Sequence, residues 1–183
     1  QNPFFTSNTS LTFNWGGTSD KVNTAVTILK SRSHNEEVVE RLQYYMDYLV
    51  DGEYQRIDAY GTTPFKVKVD TSKAQALGLV IKLKMVDATS FNLSATLPAL
   101  VTGQNYATKE KESIDLQAQE FSKNYGFGES IDLPFFSGTL QRTEQPLQAG
   151  KEFYIRFLNF DSAVGKYRSV SVNPDGQGAS VLN

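Results

Sequence analysis

Apolar and polar residues alternate along much of this chain, which predicts β-strands with one buried face. In residues 65–70, FKVKVD, every second side chain is apolar, and the same period recurs in 79–85 and 152–160. Successive side chains of a strand point to opposite faces, so this period separates a core face from a solvent face. Strands are predicted at 11–15, 54–60, 65–69, 79–85, 91–96, 138–143, 152–160 and 167–172.

Four segments fit this period less well. Residues 19–31 fit either a helix or a strand, and their valine and threonine content favours the strand. Residues 113–121 fit a strand or a short helix. Two further segments are rich in turn-forming residues: 97–111 predicts a loop, and 124–138 predicts a long irregular loop with a short strand inside it.

One segment, residues 34–51, has the helical period instead. Its apolar side chains fall on one stripe at spacings of three and four residues, as in an amphipathic helix. Ser33 and Glu36 match a capping box at its start, and Gly52 is expected to cap its end. The stripe consists of Val38, Val39, Leu42, Tyr45, Met46 and Leu49.

Short strands about every ten residues, with turn signals between them, are typical of a sandwich or barrel. The predicted fold is therefore mainly β: a β-sandwich or jelly-roll-like barrel with one amphipathic α-helix at about residues 34–51. A length of 183 residues fits one domain. We predict an extended N-terminal arm at 1–10, where Pro3 disfavours helix, and a single β-rich domain at 11–183.

The chain has no cysteine and one histidine, His34, which restricts the chemistry open to it. A cysteine nucleophile, a disulfide, a thiolate zinc site and a multi-histidine metal site are excluded. His34 is expected in the first turn of the capped helix, where no motif supplies a catalytic partner. The sequence contains no glycine-rich phosphate loop and no G-x-S-x-G or H-E-x-x-H motif. We therefore predict a protein that is not an enzyme and takes no cofactor and no metal.

Acidic residues leave two alternatives open. A glycoside hydrolase needs only two carboxylates placed by the fold, and the 20 Asp and Glu residues do not single out a pair. Asp161 or the turn at 173–175 could ligate calcium, although turn formation explains both. A carboxylate-based hydrolase is therefore a functional alternative that ranks behind a structural protein and a binding module.

The net charge of −2 and the lack of any run of Lys or Arg argue against a nucleic-acid binder. We find no strong nucleic-acid signal, and no apolar run is long enough to predict a membrane span. Four lysines would form one strip for an anionic partner if the two strands that carry them are neighbours. A solvated sheet face is the alternative that the acidic net charge favours. These candidate residues are Lys66, Lys68, Lys82 and Lys84.

Two Pro-Phe-Phe triplets, at 3–5 and 134–136, suggest aromatic contacts between subunits. Adjacent residues of an extended chain point to opposite sides, so both Phe side chains are buried only where something covers the second face. A neighbouring copy of the chain would cover it, as when an aromatic arm docks on the next subunit. The alternative is an arm that folds back on its own body. The candidate assembly contacts are Phe4, Phe5, Phe135 and Phe136.

These observations predict a non-enzymatic structural protein that self-assembles, such as a viral capsid or virion subunit or an extracellular surface fibre. Its partners would be copies of itself, in a homo-oligomer, and other structural proteins. An extracellular or virion location fits the lack of cysteine. It also fits a first residue, Gln1, that is not methionine, as after cleavage of a precursor.

The second functional alternative is a secreted carbohydrate- or ligand-binding module. Aromatic residues near glycine-rich turns could stack against sugar rings. The chain has a single tryptophan, which weakens this alternative. The candidate stacking residues are Trp15, Tyr106, Tyr125 and Phe127.

Overall fold

The computed structural model describes residues 24–168. These residues form helix α1 at 24–30, helix α2 (Arg32–Leu42), twelve strands and helix α3 (Phe160–Arg168). The predicted arm at 1–10 and strand at 11–15 lie outside the described residues. The strands are β1 (Met46–Asp51), β2 (Arg56–Asp58), β3 (Phe65–Val69), β4 (Ala74–Ala76), β5 (Val80–Met85), β6 (Ser90–Leu97), β7 (Leu100–Asn105), β8 (Lys111–Asp115), β9 (Gln119–Gly126), β10 (Ser130–Leu133), β11 (Phe136–Arg142) and β12 (Glu152–Phe157).

The described strands form three antiparallel sheets. The largest has six strands in the order β2-β1-β12-β5-β6-β9, and the two smaller sheets have the orders β10-β11-β3 and β4-β7-β8. The prediction of a mainly β fold is confirmed. These strands form no closed barrel, and their packing is compatible with a sandwich-like arrangement of sheets.

Aromatic rings pack between the six-stranded sheet and the β10-β11-β3 sheet. The Phe65 ring of β3 meets the Phe153 ring of β12 with centroids 5.5 Å apart, and Phe136 of β11 lies 6.0 Å from Phe157 of β12. All four side chains are buried. The main core therefore lies between these two sheets, and the alternation seen in the sequence directs the apolar side chains into it.

Most of the strands predicted from alternation are confirmed with small shifts at their ends. The prediction at 65–69 matches β3, and those at 79–85 and 91–96 match β5 and β6. The predictions at 138–143 and 152–160 correspond to β11 and β12. Only β2 is much shorter than predicted, with three exposed residues in place of 54–60.

The predicted helix at 34–51 is confirmed only as far as residue 42. Helix α2 begins at Arg32, its N-cap is Ser31, and the Ser31 hydroxyl accepts a hydrogen bond from His34 N at 3.3 Å. It ends at Leu42, and the left-handed backbone of its C-cap Gln43 (φ 55°) turns the chain so that Gln43 N donates to Glu40 O and Tyr44 N donates to Val39 O. The capping roles predicted for Ser33 and Gly52 are therefore wrong.

Residues 46–51 form strand β1 because tertiary pairing overrides the local helical period. Met46 and Tyr48 face the core from alternate positions of this strand, and Tyr48 lies opposite Ile155 of β12. Either period buries these apolar side chains, but only the strand also supplies hydrogen-bonding partners to β12 and β2.

Five other local predictions were wrong or incomplete. Residues 24–30 are helical rather than extended, and β7 occupies part of the predicted loop at 97–111. Segment 113–121 divides between β8 and β9, and segment 124–138 contains the end of β9, all of β10 and the start of β11. Helix α3 includes the first two residues of the strand predicted at 167–172, and the rest of that segment lies outside the described residues.

Gly138 is required where β11 approaches β3. It lies opposite Val69, and a Cβ atom there would be 2.6 Å from the carbonyl oxygen of Lys68 and 3.2 Å from Cα of Val69. Backbone atoms cannot rotate away, so we expect Gly138→Ala to lower the free energy of unfolding by about 1–3 kcal/mol. Urea unfolding followed by circular dichroism measures this loss.

Gly165→Ala is the matched control for this experiment. A Cβ at Gly165, in α3, would meet no described atom within 4 Å beyond the neighbouring backbone of its own helix. Alanine favours helix over glycine by up to about 1 kcal/mol, so this variant should be as stable as the parent or more so. Equal stability of Gly138→Ala and the parent would contradict the close approach of the two strands.

Candidate interaction surface

Strand β9 forms one edge of the six-stranded sheet and is the longest edge strand that the structure describes. Its eight residues pair with β6 along their whole length, from Gln119 opposite Leu97 to Gly126 opposite Ser90. The register has no interruption. One side of β9 is therefore fully paired, and the other side faces away from the sheet.

The hydrogen bond from Phe127 N to Thr89 O, 2.9 Å long, shows how the backbone of β9 is oriented. These two residues continue the register of β6 and β9 by one pair. Backbone groups of an antiparallel strand point alternately to its two sides. The odd-numbered residues of β9 therefore bond to β6, and the N–H and C=O groups of Glu120, Ser122 and Asn124 point away from it.

We call these outward groups of Glu120, Ser122 and Asn124 the open edge of β9. Within residues 24–168, no other strand and no loop backbone hydrogen-bonds to them. The next outward amide, Gly126 N, donates to Glu129 Oε2 at 2.8 Å. The open edge thus ends at Gly126, where the Glu129 side chain accepts the hydrogen bond of the outward amide.

The open edge contains no proline and no bulge, which are two of the features that protect an edge strand. The strand sequence, QEFSKNYG, contains no proline and one lysine. Lys123 Nζ lies 4.9 Å from the ring centroid of Tyr125. This cation–π contact holds the ammonium on the inner side of the sheet, so Lys123 is the one inward-facing charge on this strand and leaves the outward backbone groups uncovered.

The edges of the small sheets are closed by specific groups. On β3, Val67 N donates to the buried Tyr48 hydroxyl at 2.9 Å. On β4, Ala76 N donates to Phe135 O at 3.1 Å. Strand β10 has four residues, and an ion pair of 2.6 Å joins its Asp132 to Lys73.

The remaining edge strands are short or strongly charged. At the other edge of the large sheet, β2 has only three residues, all exposed, and Arg56 pairs with Asp51 at 3.4 Å. Strand β8 has the sequence KESID, in which three of the five residues are charged. Among the edges of the described sheets, β9 is therefore the long one whose outward backbone groups bond to no other described backbone.

The outer face of the six-stranded sheet continues this polar character. Asn92 on β6 bonds Asn124 at 2.7 Å and Ser122 at 3.1 Å, and Thr96 bonds Glu120 at 3.0 Å. These side chains link β6 to β9 and hold the open edge in an extended form. They also show that the side chains of Glu120, Ser122 and Asn124 point to the outer face.

A groove of about 420 Å³ crosses the same face near Tyr154. The Arg56 guanidinium covers the Tyr154 ring at 3.8 Å, and the Tyr154 hydroxyl donates to Asp51 at 2.7 Å. Lys82 pairs with Glu152 at 3.4 Å. Charges of both signs are therefore matched around the groove, which offers hydrogen bonds rather than a field of one sign.

The predicted single strip of four lysines is wrong. Lys66 and Lys68 lie on β3, and Lys82 and Lys84 lie on β5, which belongs to a different sheet. The two strands pack with their apolar faces toward a common core, so their lysines project from different sheets. Sequence alternation predicts the correct face of each strand, but it contains no information on which strands are neighbours.

Phe135 and Phe136, two of the predicted assembly contacts, lie in the protein's own core. Their side chains are 1% and 0% exposed. Phe135 lies in the turn between β10 and β11 and packs edge-on against Phe121 of β9 at 5.2 Å, while Phe136 begins β11. Both rings are buried because the turn breaks the strand alternation, so neither is available to a second copy. Phe4 and Phe5 lie outside the described residues.

The predicted sugar-stacking residues do not form an exposed platform. Tyr106 and Tyr125 are 2% and 4% exposed, and Tyr106 stacks on Tyr45 with centroids 3.9 Å apart. Phe127 is half-buried and packs against Phe91 at 5.1 Å. Trp15 lies outside the described residues. The three described rings stabilise the core instead.

His34 and Asp161, the residues considered for catalysis and calcium binding, both lie in helices. His34 lies in the first turn of α2, and Asp161 pairs with Arg32 at 2.6 Å, joining α3 to α2. Residues 24–168 contain no cluster of three or more His, Asp or Glu side chains that could hold a metal ion. The turn at 173–175 lies outside this range.

No helix in the described part of the chain is long and apolar enough to cross a membrane. Comparison of the chain with models of protein families found no matching family, and comparison with curated proteins found no similar sequence. The open edge of β9 is therefore identified from geometry alone.

The closure of the β3 edge by Tyr48 predicts an alkaline loss of stability. Burial raises the pKa of the Tyr48 hydroxyl to about 12, above the value of 10.0 for an exposed tyrosine. The folded state therefore holds this proton more tightly than the unfolded state, so the stabilisation is complete below pH 10 and is lost as the pH rises toward 12. Burial also raises the pKa of Tyr106 and Tyr45, which add to the same loss.

We expect Tyr48→Phe to lower the free energy of unfolding by about 1–3 kcal/mol at pH 7, because Val67 N loses its acceptor. The variant should also lose less stability than the parent between pH 10 and pH 12. Urea unfolding at a series of pH values measures both effects. Tyr54→Phe is the control, because Tyr54 is 91% exposed. A parallel pH dependence of Tyr48→Phe and the parent would contradict this role of the hydroxyl.

Proposed function

We propose that this protein is a non-enzymatic structural subunit that self-assembles, and the open edge of β9 is the observation that carries the proposal. An unpaired strand edge is a template for a strand from another chain. Soluble proteins normally protect such edges, and the other described edges of this protein are short, charged or closed by a side chain or backbone group. A long edge whose outward backbone groups bond to no other backbone within residues 24–168 favours a partner that pairs with it.

The backbone bonds at this edge would make a weak contact by themselves. Three residues on each side would form about six hydrogen bonds, each with a net contribution of about 0.5–1.5 kcal/mol. Association costs about 4–15 kcal/mol, so a stable particle needs further contacts. The predicted arm, with Phe4 and Phe5, is the second contact that we propose. Many weak contacts of this kind are typical of proteins that work as assemblies.

The partners in this proposal are copies of the same chain, with other structural proteins as a further class. A viral capsid or virion subunit and an extracellular surface fibre both fit the proposal. The proposed location is accordingly extracellular or in a virion. Nothing in the described core requires a ligand: its buried polar side chains, such as Gln75 and Gln104, bond to neighbouring backbone.

A secreted carbohydrate- or ligand-binding module is the alternative proposal, and the groove beside Tyr154 is the observation in its favour. The groove has hydroxyl groups from Ser94 and Thr96 and the carboxylate of Glu120. Arg56 already covers the Tyr154 ring, which leaves less aromatic surface for a sugar. This module would stay monomeric, and glycans would change its tryptophan fluorescence.

Proline at the centre of the open edge should block assembly. Ser122 N–H points away from β6, so Ser122→Pro removes no backbone bond inside the sheet but removes a donor from the edge. We expect the parent to form oligomers and Ser122→Pro to elute near the subunit mass of 20.4 kDa. Light scattering on a sizing column, at several protein concentrations, measures the mass.

Ser122→Ala is the matched control, because it loses the same hydroxyl and keeps the edge N–H. It should assemble as the parent does. If Ser122→Pro is folded and assembles equally well, the open edge is not an assembly contact. A parent that stays monomeric at every concentration and salt level would refute self-assembly and favour the binding module.

Deletion of residues 1–10 tests the second contact separately. If the arm docks on a neighbouring subunit, the truncated protein should keep its circular dichroism spectrum and its unfolding midpoint but lose its larger oligomers. Phe4→Ala with Phe5→Ala in the full chain should have the same effect, because it removes only the aromatic anchors. An arm that packs on its own body would instead lower stability without changing the mass.

A further inference from the structure

We propose that the open edge of β9 pairs with the open edge of a second copy, in antiparallel orientation and with a two-fold axis at Ser122. This inference rests on the proposed function, because it requires that the chain self-assembles. It adds the partner strand, the register and the symmetry of the contact.

The alternation of backbone groups limits the ways in which two copies of β9 can pair. Residues that face each other in an antiparallel pair direct their side chains to the same face and their backbone groups toward each other. The groups of Glu120, Ser122 and Asn124 are the ones that point outward. Each of these residues must therefore lie opposite one of the same three, or opposite the outward-facing Gly126, in the second copy.

Two symmetric registers satisfy this condition, with Ser122 or Lys123 on the two-fold axis. Each pairs seven residues of the strand, 119–125 or 120–126. A register with Phe121 on the axis fails the condition, because it places Asn124 opposite Ala118 and pairs only residues 119–123. The Lys123 register places two ammonium groups opposite each other, which is destabilising. The Ser122 register combines the longer overlap with no facing like charges.

The Ser122 register also continues the polar bonding of the sheet. It places Glu120 opposite Asn124 of the second copy, so that a carboxylate faces an amide that can donate to it. Asn124 already bonds Asn92, and Glu120 already bonds Thr96, on the same outer face. Both side chains are thus already ordered on the outer face beside the proposed contact, which lowers the conformational entropy lost on pairing.

The result is one continuous antiparallel sheet made from two six-stranded sheets. Because each copy offers the same surface to the other, this contact is closed and produces a dimer rather than a filament. The dimer would be the unit from which larger particles are built, and a fibre would require a different, heterologous contact. Pairing of β9 with β9 therefore predicts an assembly built from dimers.

Single cysteines test the register directly, because the natural chain has none and each variant can cross-link at only one position. Hydrogen-bonded partners in an antiparallel pair have Cα atoms about 5.5 Å apart, a separation that a disulfide can span. We expect Ser122→Cys to form a covalent dimer on mild oxidation of the folded protein. Non-reducing gels measure its yield, and dithiothreitol should reverse it.

Glu120→Cys and Asn124→Cys are the matched controls. Each residue lies about four residue steps, roughly 13 Å, from its own copy across the axis, so neither variant should cross-link alone. A mixture of the two variants should cross-link, because position 120 faces position 124. We expect at least tenfold more dimer from the mixture than from either variant alone. Circular dichroism of each reduced variant confirms that it is folded.

The outcomes separate this inference from the proposed function. Cross-linking of Lys123→Cys, with none at Ser122→Cys, would overturn the register. An assembled parent in which none of these positions cross-links would overturn β9 pairing and leave self-assembly standing, through the arm or another edge. A parent that is monomeric under all conditions would overturn both.

Discussion

Packing of aromatic rings between two antiparallel sheets is the constraint on which the rest of this structure depends. The contact of Phe65 with Phe153 joins the β10-β11-β3 sheet to the centre of the six-stranded sheet. Each strand can direct only alternate side chains into that layer, so the other positions face water and are polar. The same layer sets the backbone spacing, and Gly138 stands where β11 and β3 approach too closely for a side chain.

Sheets that do not close into a barrel have edge strands, and the edge strands of this protein differ in whether other groups bond to their outward backbone. The Tyr48 ring belongs to the core, and its hydroxyl also closes the edge of β3 at Val67. The edge of β9 has no such group among the described residues, and its one lysine, Lys123, is held over Tyr125. This contrast is the reason for proposing a role for β9. If every edge of the protein were equally open, the open edge of β9 would not distinguish it from the others.

The candidate site cannot be recognised from local sequence pattern. That pattern divides strand β9 between a strand-or-helix segment at 113–121 and a loop at 124–138, because its glycine and polar residues are typical of loops. It also predicts Phe135 and Phe136 at the surface, because alternation applies to strands and Phe135 lies in a turn. An edge is defined by which strand lacks a neighbour, and no local period contains that information.

Residue types and their period of two are enough to establish the β-rich class, the faces of strands such as 65–69 and 79–85, and the lack of thiol chemistry. The order of the strands, the separation of the lysine pairs and the end of α2 at Leu42 depend on the tertiary structure. Residues 46–51 show why: their apolar side chains fit a helix or a strand equally well. The hydrogen bonds to β12, more than a hundred residues away, settle the choice in favour of the strand.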